Sequence, residues 1–301
     1  MKILVIGAVT VDLLATVQEP LIYNDSNPGN IYQTYGGVAK NIAENLVRLG
    51  FDVDFVFNVG NDKYGENAID YLRSININTL ATIYPHSTDV YLSVFDDQNE
   101  LVVAINDMPC VNHIDINYLV NKRLNPDDYA FVICDANMQT ATIKYVLNQF
   151  KNVYIEGVSA KKIVRLRSVL NEIQTLKANF LEICTLLEVD NLDELIQKLQ
   201  DLKIPEVLIT MGSKGSLLFK NQEVFQIPAQ LATVTNVSGA GDAFLAGFLY
   251  TYYLAQKSDP YELLIGGSCA SLITLRSPLT NSLELNPINL EKEIKLWKSK
   301  S

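Results

Sequence analysis

The sequence predicts an α/β protein: a three-layer α/β/α sandwich with a mostly parallel central sheet, plus a small β-sheet lid. Two observations support this fold class. Short apolar, β-rich runs alternate with amphipathic helical patterns along most of the chain, and such alternation is typical of a parallel sheet covered by helices on both faces. Two other stretches contain short strands and turns without an intervening helix, which predicts a separate β-layer.

The elements can be placed in chain order. The apolar runs that predict strands of the main sheet lie at residues 3–6, 53–59, 130–134, 153–156 and 207–210. The helical patterns lie at residues 38–49, 65–73, 140–149 and 193–202. Strands of the lid are expected at about residues 12–35 and 81–106. Because ligands of open α/β sheets bind at the carboxyl edge of the strands, a β-layer above that edge would cover the site.

Length and composition fit one domain over residues 1–301, since 48% of the chain is hydrophobic and can form a large core. The formal net charge of -10 argues against a nucleic-acid polymer as partner, because phosphate backbones are held by clustered Lys and Arg. No apolar run approaches the roughly 18 to 20 residues of a membrane span. The first residues lack the pattern of a signal peptide. We therefore expect a cytoplasmic protein without a membrane partner.

The four cysteines have no CxxC spacing and fit reduced core thiols. Several enzyme classes lack their motifs here: there is no GxxxxGK[ST] phosphate loop, no GxGxxG after the first strand and no GxSxG nucleophile turn. His86 and His113 are far apart in sequence and have no metal-ligand spacing. The absence of these motifs disfavours the enzyme classes that depend on them.

The most informative motif precedes the apolar, helix-length run at residues 245–256 and consists of Gly239, Ala240, Gly241 and Asp242. Glycines at a helix start let successive backbone N–H groups point into one concavity, where the helix dipole favours an anion. A carboxylate in the first turn lies within reach of anything bound there and could take a proton from a hydroxyl group. A tight turn with an acidic first-turn residue would show the same pattern.

Two further motifs have both a functional and a structural interpretation. Gly36 and Gly37 open the first long helix and permit close approach of a ligand, while Asn41 offers a donor and an acceptor to a sugar hydroxyl. A flexible helix start is the alternative. Asn179 and Glu182 are spaced to hold the water shell of Mg²⁺, although a solvated helix start would look the same.

Taken together, these motifs resemble the ribokinase-like (PfkB) carbohydrate kinase family over nearly the whole chain. The resemblance implies an ATP-dependent kinase of ribokinase-like fold in which Asp242 is the catalytic base. The amides of residues 239–242 would form the anion hole, and Asn179 with Glu182 would govern Mg²⁺ and phosphate. Contacts to the sugar are implied for Asp12, Gly36, Gly37 and Asn41.

The nucleotide side is implied in the same way. Thr210 and Gly212, followed by Gly215, are similar to the nucleotide-binding turn of the family, and Ser271 and Asn281 fall where its adenine-side wall lies. Two departures stand out. Asn236 and Ser238 replace the Asp-Thr of ribokinases at positions that help to bind a monovalent cation, so a K⁺ requirement is open. Glu156-Gly157 replaces a common Asp-Pro near the phosphate path.

The resemblance in the lid and sugar pocket, carried by residues 25–29, 36–43, 91–93, 101–108 and 158–160, implies phosphorylation of the 5′-hydroxyl of pseudouridine. The candidates for substrate contacts in this region are Ser26, Asn27, Thr88, Asn106 and Asn137. Ribose, adenosine or another nucleoside is the alternative within the family, and a catalytically silent ligand-binding homologue is the alternative outside enzymes. Because small single sheets rarely bury enough apolar surface alone, we also expect a homodimer formed through the lid.

Overall fold

The structure, a computed structural model, describes residues 1–98, 100–202 and 204–300 of the chain. The strands are β1 (Lys2–Ile6), β2 (Thr10–Val17), β3 (Gly29–Gly36), β4 (Asp52–Val56), β5 (Asn58–Gly60), β6 (Asn78–Thr79), β7 (Thr82–Tyr84), β8 (Val90–Phe95), β9 (Leu101–Asp107), β10 (Val132–Asp135), β11 (Val153–Glu156), β12 (Thr175–Asn179), β13 (Glu206–Thr210), β14 (Ser216–Lys220) and β15 (Glu223–Ile227).

The helices are α1 (Val38–Arg48), α2 (Lys63–Ser74), α3 (Ile116–Asn121), α4 (Thr140–Gln149), α5 (Ala160–Ile163), α6 (Phe180–Leu187), α7 (Leu192–Asp201), α8 (Ala240–Leu249), α9 (Pro260–Leu275) and α10 (Pro287–Lys300). Short 3₁₀ segments lie at Val111–His113, Pro126–Asp128, Val164–Glu172 and Gly212–Lys214. In the described part of the chain, no helix is both long and apolar enough to cross a membrane.

The main sheet has, among the described residues, nine strands in the order β15-β14-β13-β12-β11-β10-β1-β4-β6. The pairs from β6 to β13 are parallel, and β14 and β15 are added by antiparallel pairing. Successive side chains of the central strand β1 enter opposite cores. Ile3 and Val5 pack with α1, α2, α8, α9 and α10, whereas Leu4 and Ile6 pack with helices α3 to α7. This alternation produces three layers, and the predicted fold class is confirmed.

The lid is a separate sheet with the strand order β3-β2-β8-β9. Asp12 on β2 pairs with Tyr91 on β8, which in turn pairs with Asn106 on β9, so these three residues share one face of the lid. The second lid segment begins at Val90, later than predicted, because β7 pairs with β5 in a small sheet of its own. Asn99, within the predicted second segment, lies outside the described residues.

Helices α8 and α9 are in unusually close contact. A Cβ atom added at Gly247 would lie 2.5 Å from the Gly266 carbonyl oxygen, and one at Gly266 would lie 1.9 Å from Thr251 Oγ1. Glycine at these positions lets the two helices approach at backbone distance. Helix α8 begins at Ala240, earlier than the predicted run, and continues into a π-helical turn, Tyr250–Leu254. All four cysteines are buried and free.

Candidate active site

The anion hole lies at the start of α8. Gly239 is the N-cap residue and has φ of 77°, a backbone conformation that glycine adopts at little cost. A Cβ atom at Gly239 would lie 2.2 Å from the carbonyl oxygen of Thr280, so a larger residue would be excluded here. The backbone amides that follow are the unsatisfied donors of the first helical turn. They can bind an anion together with the helix dipole.

Asp242 lies in that first turn and is 7% exposed. Burial raises the pKa of its carboxyl to about 7, with Lys177 opposing the rise and Glu156 adding to it. A carboxylate with a pKa near neutrality is well suited to accept a proton from an alcohol. Asp242 can therefore deprotonate a hydroxyl group that lies next to a phosphate bound in the anion hole.

Asn41 connects the start of α1 to this carboxylate. Its Nδ2 donates a hydrogen bond of 2.9 Å to Asp242 Oδ2, which fixes the orientation of the amide because a carboxylate oxygen accepts. Its Oδ1 is buried and has no hydrogen-bond partner among the described residues. A buried acceptor without a partner costs free energy unless a ligand satisfies it. A hydroxyl group of a bound sugar could supply that donor.

Sequence reasoning missed a buried ion pair beneath the anion hole. Lys177 on β12 and Glu156 on β11 pair with each other, and their side chains are 5% and 3% exposed. Burial alone lowers the pKa of Lys177, but Glu156 and Asp242 outweigh it, so that the net change is upward and the ammonium stays charged. A Cβ atom at Gly241 would lie 2.9 Å from Lys177 Nζ. This ammonium adds positive charge where a phosphoryl group would sit.

Asn179 and Glu182 form a capping box at the N-terminus of α6. Glu182 Oε1 accepts a bond of 2.7 Å from Asn179 Nδ2, and the Glu182 amide donates to Asn179 Oδ1 at 2.9 Å. Burial and, next, the Glu156 carboxylate raise the pKa of Glu182. The Lys177 ammonium opposes that rise.

Glu182 could hold the water shell of a Mg²⁺ ion, whereas both oxygens of Glu156 already accept hydrogen bonds, one from Lys177 Nζ and one from the Val158 amide. Among the described residues, no group of three His, Cys, Asp or Glu side chains could hold a metal ion. The remaining ligands would have to be phosphate oxygens and water, which is the ligand set that Mg²⁺ usually has in kinases.

The predicted nucleotide side is partly assembled. Thr210 pairs with Asn179 across adjacent strands at the carboxyl edge of the sheet. Gly212 (φ 57°) and Gly215 (φ 96°) form the turn that follows, and Ser271 Oγ donates to the Ala240 carbonyl oxygen at 2.7 Å. Ser271 thus supports the first turn of α8 from behind.

Asn281, which the resemblance places on the adenine-side wall, is buried against α1. Its Nδ2 donates to the Asn41 carbonyl oxygen and to Asn45 Oδ1, both at 2.9 Å, and its Oδ1 accepts from Lys40 Nζ at 2.8 Å. The side chain is therefore engaged with α1, the helix that carries Asn41. Lys40 also pairs with Glu44 at 3.0 Å, although burial lowers its pKa.

Asp12 lies beside the sugar-side glycines. A Cβ atom at Gly36 would be 2.0 Å from Asp12 Oδ2, and one at Gly37 would be 2.5 Å from the Ala8 carbonyl oxygen. Burial raises the pKa of Asp12, whose Oδ1 accepts from Thr10 Oγ1 at 2.6 Å. Only glycine leaves room for Asp12 on this face.

Asn137 follows β10. Its Nδ2 donates to Asp135 Oδ2 at 3.0 Å, and its Oδ1 accepts from Lys162 Nζ. Burial raises the pKa of Asp135 to about 6. Lys162, a second cation that sequence reasoning missed, lies 3.4 Å from Met108 Sδ at the end of the lid strand β9. Asn137 and Lys162 thus form a polar floor beneath the lid.

The remaining lid candidates are less closely connected to the site. Asn27 binds Ile22 through both amide atoms, at 2.7 and 2.9 Å, and Ser26 lies in the same exposed turn. Thr88 is fully buried, and its hydroxyl donates to Asp62 at 2.6 Å and accepts from Gly60 at 3.0 Å. Asn106 alone of this group shares the lid face of Asp12.

Comparisons with known proteins identify the family and the fold. Residues 1–286 match the pfkB family carbohydrate kinase. Pseudouridine kinase of Escherichia coli (strain K12) is 31% identical, with 96% of this chain and 95% of that protein covered. A carbohydrate kinase from Agrobacterium tumefaciens has a TM-score of 0.85 at 26% identity, covering 98% and 97% of the two chains. A candidate ribokinase II from Escherichia coli, in complex with ATP and Mg²⁺, has a TM-score of 0.79 at 14% identity, covering 98% and 99%, which shows the shared fold.

Proposed function

The chain belongs to the pfkB family of carbohydrate kinases and is a phosphotransferase acting on an alcohol group, and on this premise we propose that it phosphorylates the 5′-hydroxyl of pseudouridine. The products are pseudouridine 5′-phosphate and ADP. The observation that carries the proposal is the buried Asp242, whose pKa is about 7, beside the anion hole. The identity to pseudouridine kinase supports the choice of substrate.

In the proposed reaction, Asp242 accepts the proton of the 5′-hydroxyl while the hydroxyl oxygen attacks the γ-phosphorus of ATP. The new O–P bond forms as the bond to the β-phosphate oxygen breaks, and ADP leaves. The amides of residues 239–242 and the Lys177 ammonium stabilise the negative charge on the phosphoryl oxygens. Asn41 orients Asp242 through Nδ2. Mg²⁺ held near Asn179 and Glu182 through water would screen the charge of the ATP phosphates.

The lid supplies selectivity in this proposal. Pseudouridine has an N–H group where uridine has a C–H group, and a site that accepts a hydrogen bond from it would disfavour uridine. Asn106 is the favoured lid candidate, since it shares the face of Asp12. Asn137 and Lys162 would contact the substrate from below.

A panel of pseudouridine, uridine, ribose and adenosine, each assayed for ADP release and for the phosphorylated product, tests the proposal. We expect the highest kcat/KM with pseudouridine. A higher value with ribose or adenosine would transfer the assignment to that alternative. Absence of ADP release with every compound would support a silent ligand-binding homologue.

We also propose that two copies pair through their lids. On the face opposite Asp12, Leu13 pairs with Leu92, and Leu92 with Ile105. Ile105 is 56% exposed, so this apolar row lacks cover in one copy. Light scattering should give a dimer mass for the wild type and a monomer mass for Ile105→Lys. A monomeric wild type would contradict the pairing.

A further inference from the structure

Two segments meet beside the anion hole. One is the entry turn, residues 235–238, which leads into Gly239. The other is the trailing segment, residues 276–281, which follows α9. Gly239, which directly follows the entry turn, faces the trailing segment, since a Cβ atom at Gly239 would lie 2.2 Å from the Thr280 carbonyl oxygen. Their separation therefore sets the position of the amides that would bind phosphate.

Hydrogen bonds from the entry turn hold the trailing segment in place. The Thr235 amide donates to the Leu275 carbonyl oxygen at 2.8 Å, and Thr235 Oγ1 donates to the Arg276 carbonyl oxygen at 3.3 Å. Nearer the anion hole, Asn236 Nδ2 donates to the Pro278 carbonyl oxygen at 3.2 Å. The Asn236 amide is thus the side-chain link closest to Gly239.

The orientation of this amide is fixed by its two partners. Asn236 Oδ1 accepts from the Ser238 backbone N–H at 2.9 Å, and a backbone N–H can only donate. The Pro278 carbonyl oxygen can only accept, so Nδ2 must face it. The hydrogens of Nδ2 carry partial positive charge and lie between the two segments.

A monovalent cation, which the resemblance to ribokinases implies at these positions, does not fit the residues present. Neither the entry turn (Thr-Asn-Val-Ser) nor the trailing segment (Arg-Ser-Pro-Leu-Thr-Asn) contains a carboxylate. The Pro278 oxygen already accepts a hydrogen bond, and the donor hydrogens of Asn236 would repel a cation.

We infer that Asn236 is a positioning residue whose amide links the two segments in place of a monovalent cation, so that phosphoryl transfer by this chain is independent of K⁺. This inference rests on the proposed function for its activity readout. An amide N–H and a cation can both bridge to a carbonyl oxygen, but the amide is part of the chain. The anion hole is therefore held in any salt.

The test compares initial rates in KCl, NaCl and tetramethylammonium chloride at equal ionic strength. We expect wild-type kcat to agree within about twofold among the three salts, because exposed charges are screened equally. Asn236→Asp places a carboxylate opposite the Pro278 carbonyl oxygen. Its kcat should fall about tenfold in tetramethylammonium, as for one lost positioning hydrogen bond, and recover in KCl. Asn148→Asp, which removes an exposed amide bond to the Lys144 carbonyl oxygen on α4, is the matched control and should behave as the wild type.

Two results would overturn the inference: a wild type that loses most of its kcat without K⁺, or an Asn236→Asp variant that matches the wild type in every salt. If Asn236→Asp does not fold, Asn236→Ala replaces it, and the same loss of kcat is expected without rescue by any cation. A wild-type rate from Asn236→Ala would likewise reject the positioning role.

A second readout does not depend on the substrate. The thermal unfolding midpoint of the wild type should be the same in KCl and tetramethylammonium chloride, whereas Asn236→Asp should gain stability from KCl, since a ligand that binds only the folded state raises the midpoint. A K⁺-specific rise in the wild type would reject the inference. If no alcohol in the substrate panel is phosphorylated, the proposed function fails while this measurement still decides the cation question.

Discussion

The anion hole and the lid serve one proposed reaction but are built differently. Around Asp242, buried side chains converge from α1, β11, β12 and α8, and each is held by another buried group. Along the lid, Tyr91 and Asn106 lie on strands that face solvent. Burial sets charge and pKa in the first region, whereas the second offers hydrogen bonds at an accessible surface. We therefore expect rate and stability to depend on the region around Asp242 and substrate selectivity to depend on the lid.

The ion pair beneath the anion hole provides the most severe way to break the buried region. Lys177→Met leaves the Glu156 carboxylate without its partner in the interior, and we expect the free energy of unfolding to fall by about 3–5 kcal/mol. Urea unfolding measures the loss. Lys144→Met removes an exposed pair with Glu172 and should cost less than about 1 kcal/mol. Equal losses for the two variants would show that burial of the pair is unimportant.

Asp242→Asn tests the base directly while preserving the shape of the side chain. We expect kcat to fall about a hundredfold or more, the range for a lost acid–base group, with little change in the affinity for ATP. Asp193→Asn, an exposed first-turn substitution on α7, is the control and should keep wild-type kcat. Near-normal turnover by Asp242→Asn would exclude the residue as the base.

The pH dependence of the reaction is a second test of Asp242 as the base. Burial raises the pKa of Asp242 to about 7, and only the ionised form can accept a proton, so activity is lost as the pH falls through 7. Between pH 8 and pH 6 we expect kcat/KM for the alcohol to decrease about tenfold. The residual activity of Asp242→Asn should lack this decrease. A flat wild-type profile over this interval would contradict the proposed role.

The smallest effect is expected in the lid. Asn106→Ala removes one hydrogen bond to the nucleoside, which should raise KM by about tenfold or less and leave kcat nearly unchanged. Asn148→Ala removes an exposed amide hydrogen bond on α4, which is not part of the lid. This control should leave KM unaltered. A loss in kcat for Asn106→Ala would place the lid in the chemical step and erase the contrast.

Local patterns in the sequence were sufficient for much of the fold. The predicted helix at residues 140–149 coincides with α4, because its apolar spacing and boundaries are local properties. The glycine motifs were also identifiable, since each is contiguous in sequence. The start of the second lid segment could not be identified in this way. The sequence of β7 is typical of a lid strand, and only its pairing with β5 shows that it belongs to another sheet.

The missed residues share one cause, which is that their partners are distant in sequence. Lys177 meets Glu156 only because β11 and β12 are neighbours. A charged residue between Leu176 and Ala178 in an apolar strand was the available signal, since such residues are seldom buried without a partner. Asn281 was assigned to the nucleotide wall by position alone, and its contacts with α1 depend on how the trailing segment crosses the molecule.

The glycine contact between α8 and α9 has a consequence for redesign. A side chain at Gly247 would collide with the backbone of Gly266, and one at Gly266 would collide with Thr251. Folded variants selected from a random library should therefore retain glycine at both positions. The face of the lid that carries Tyr91 and Asn106 is exposed and should tolerate wide variation. Attempts to retarget the enzyme to new alcohols would therefore best randomise the lid and leave the helix pair untouched.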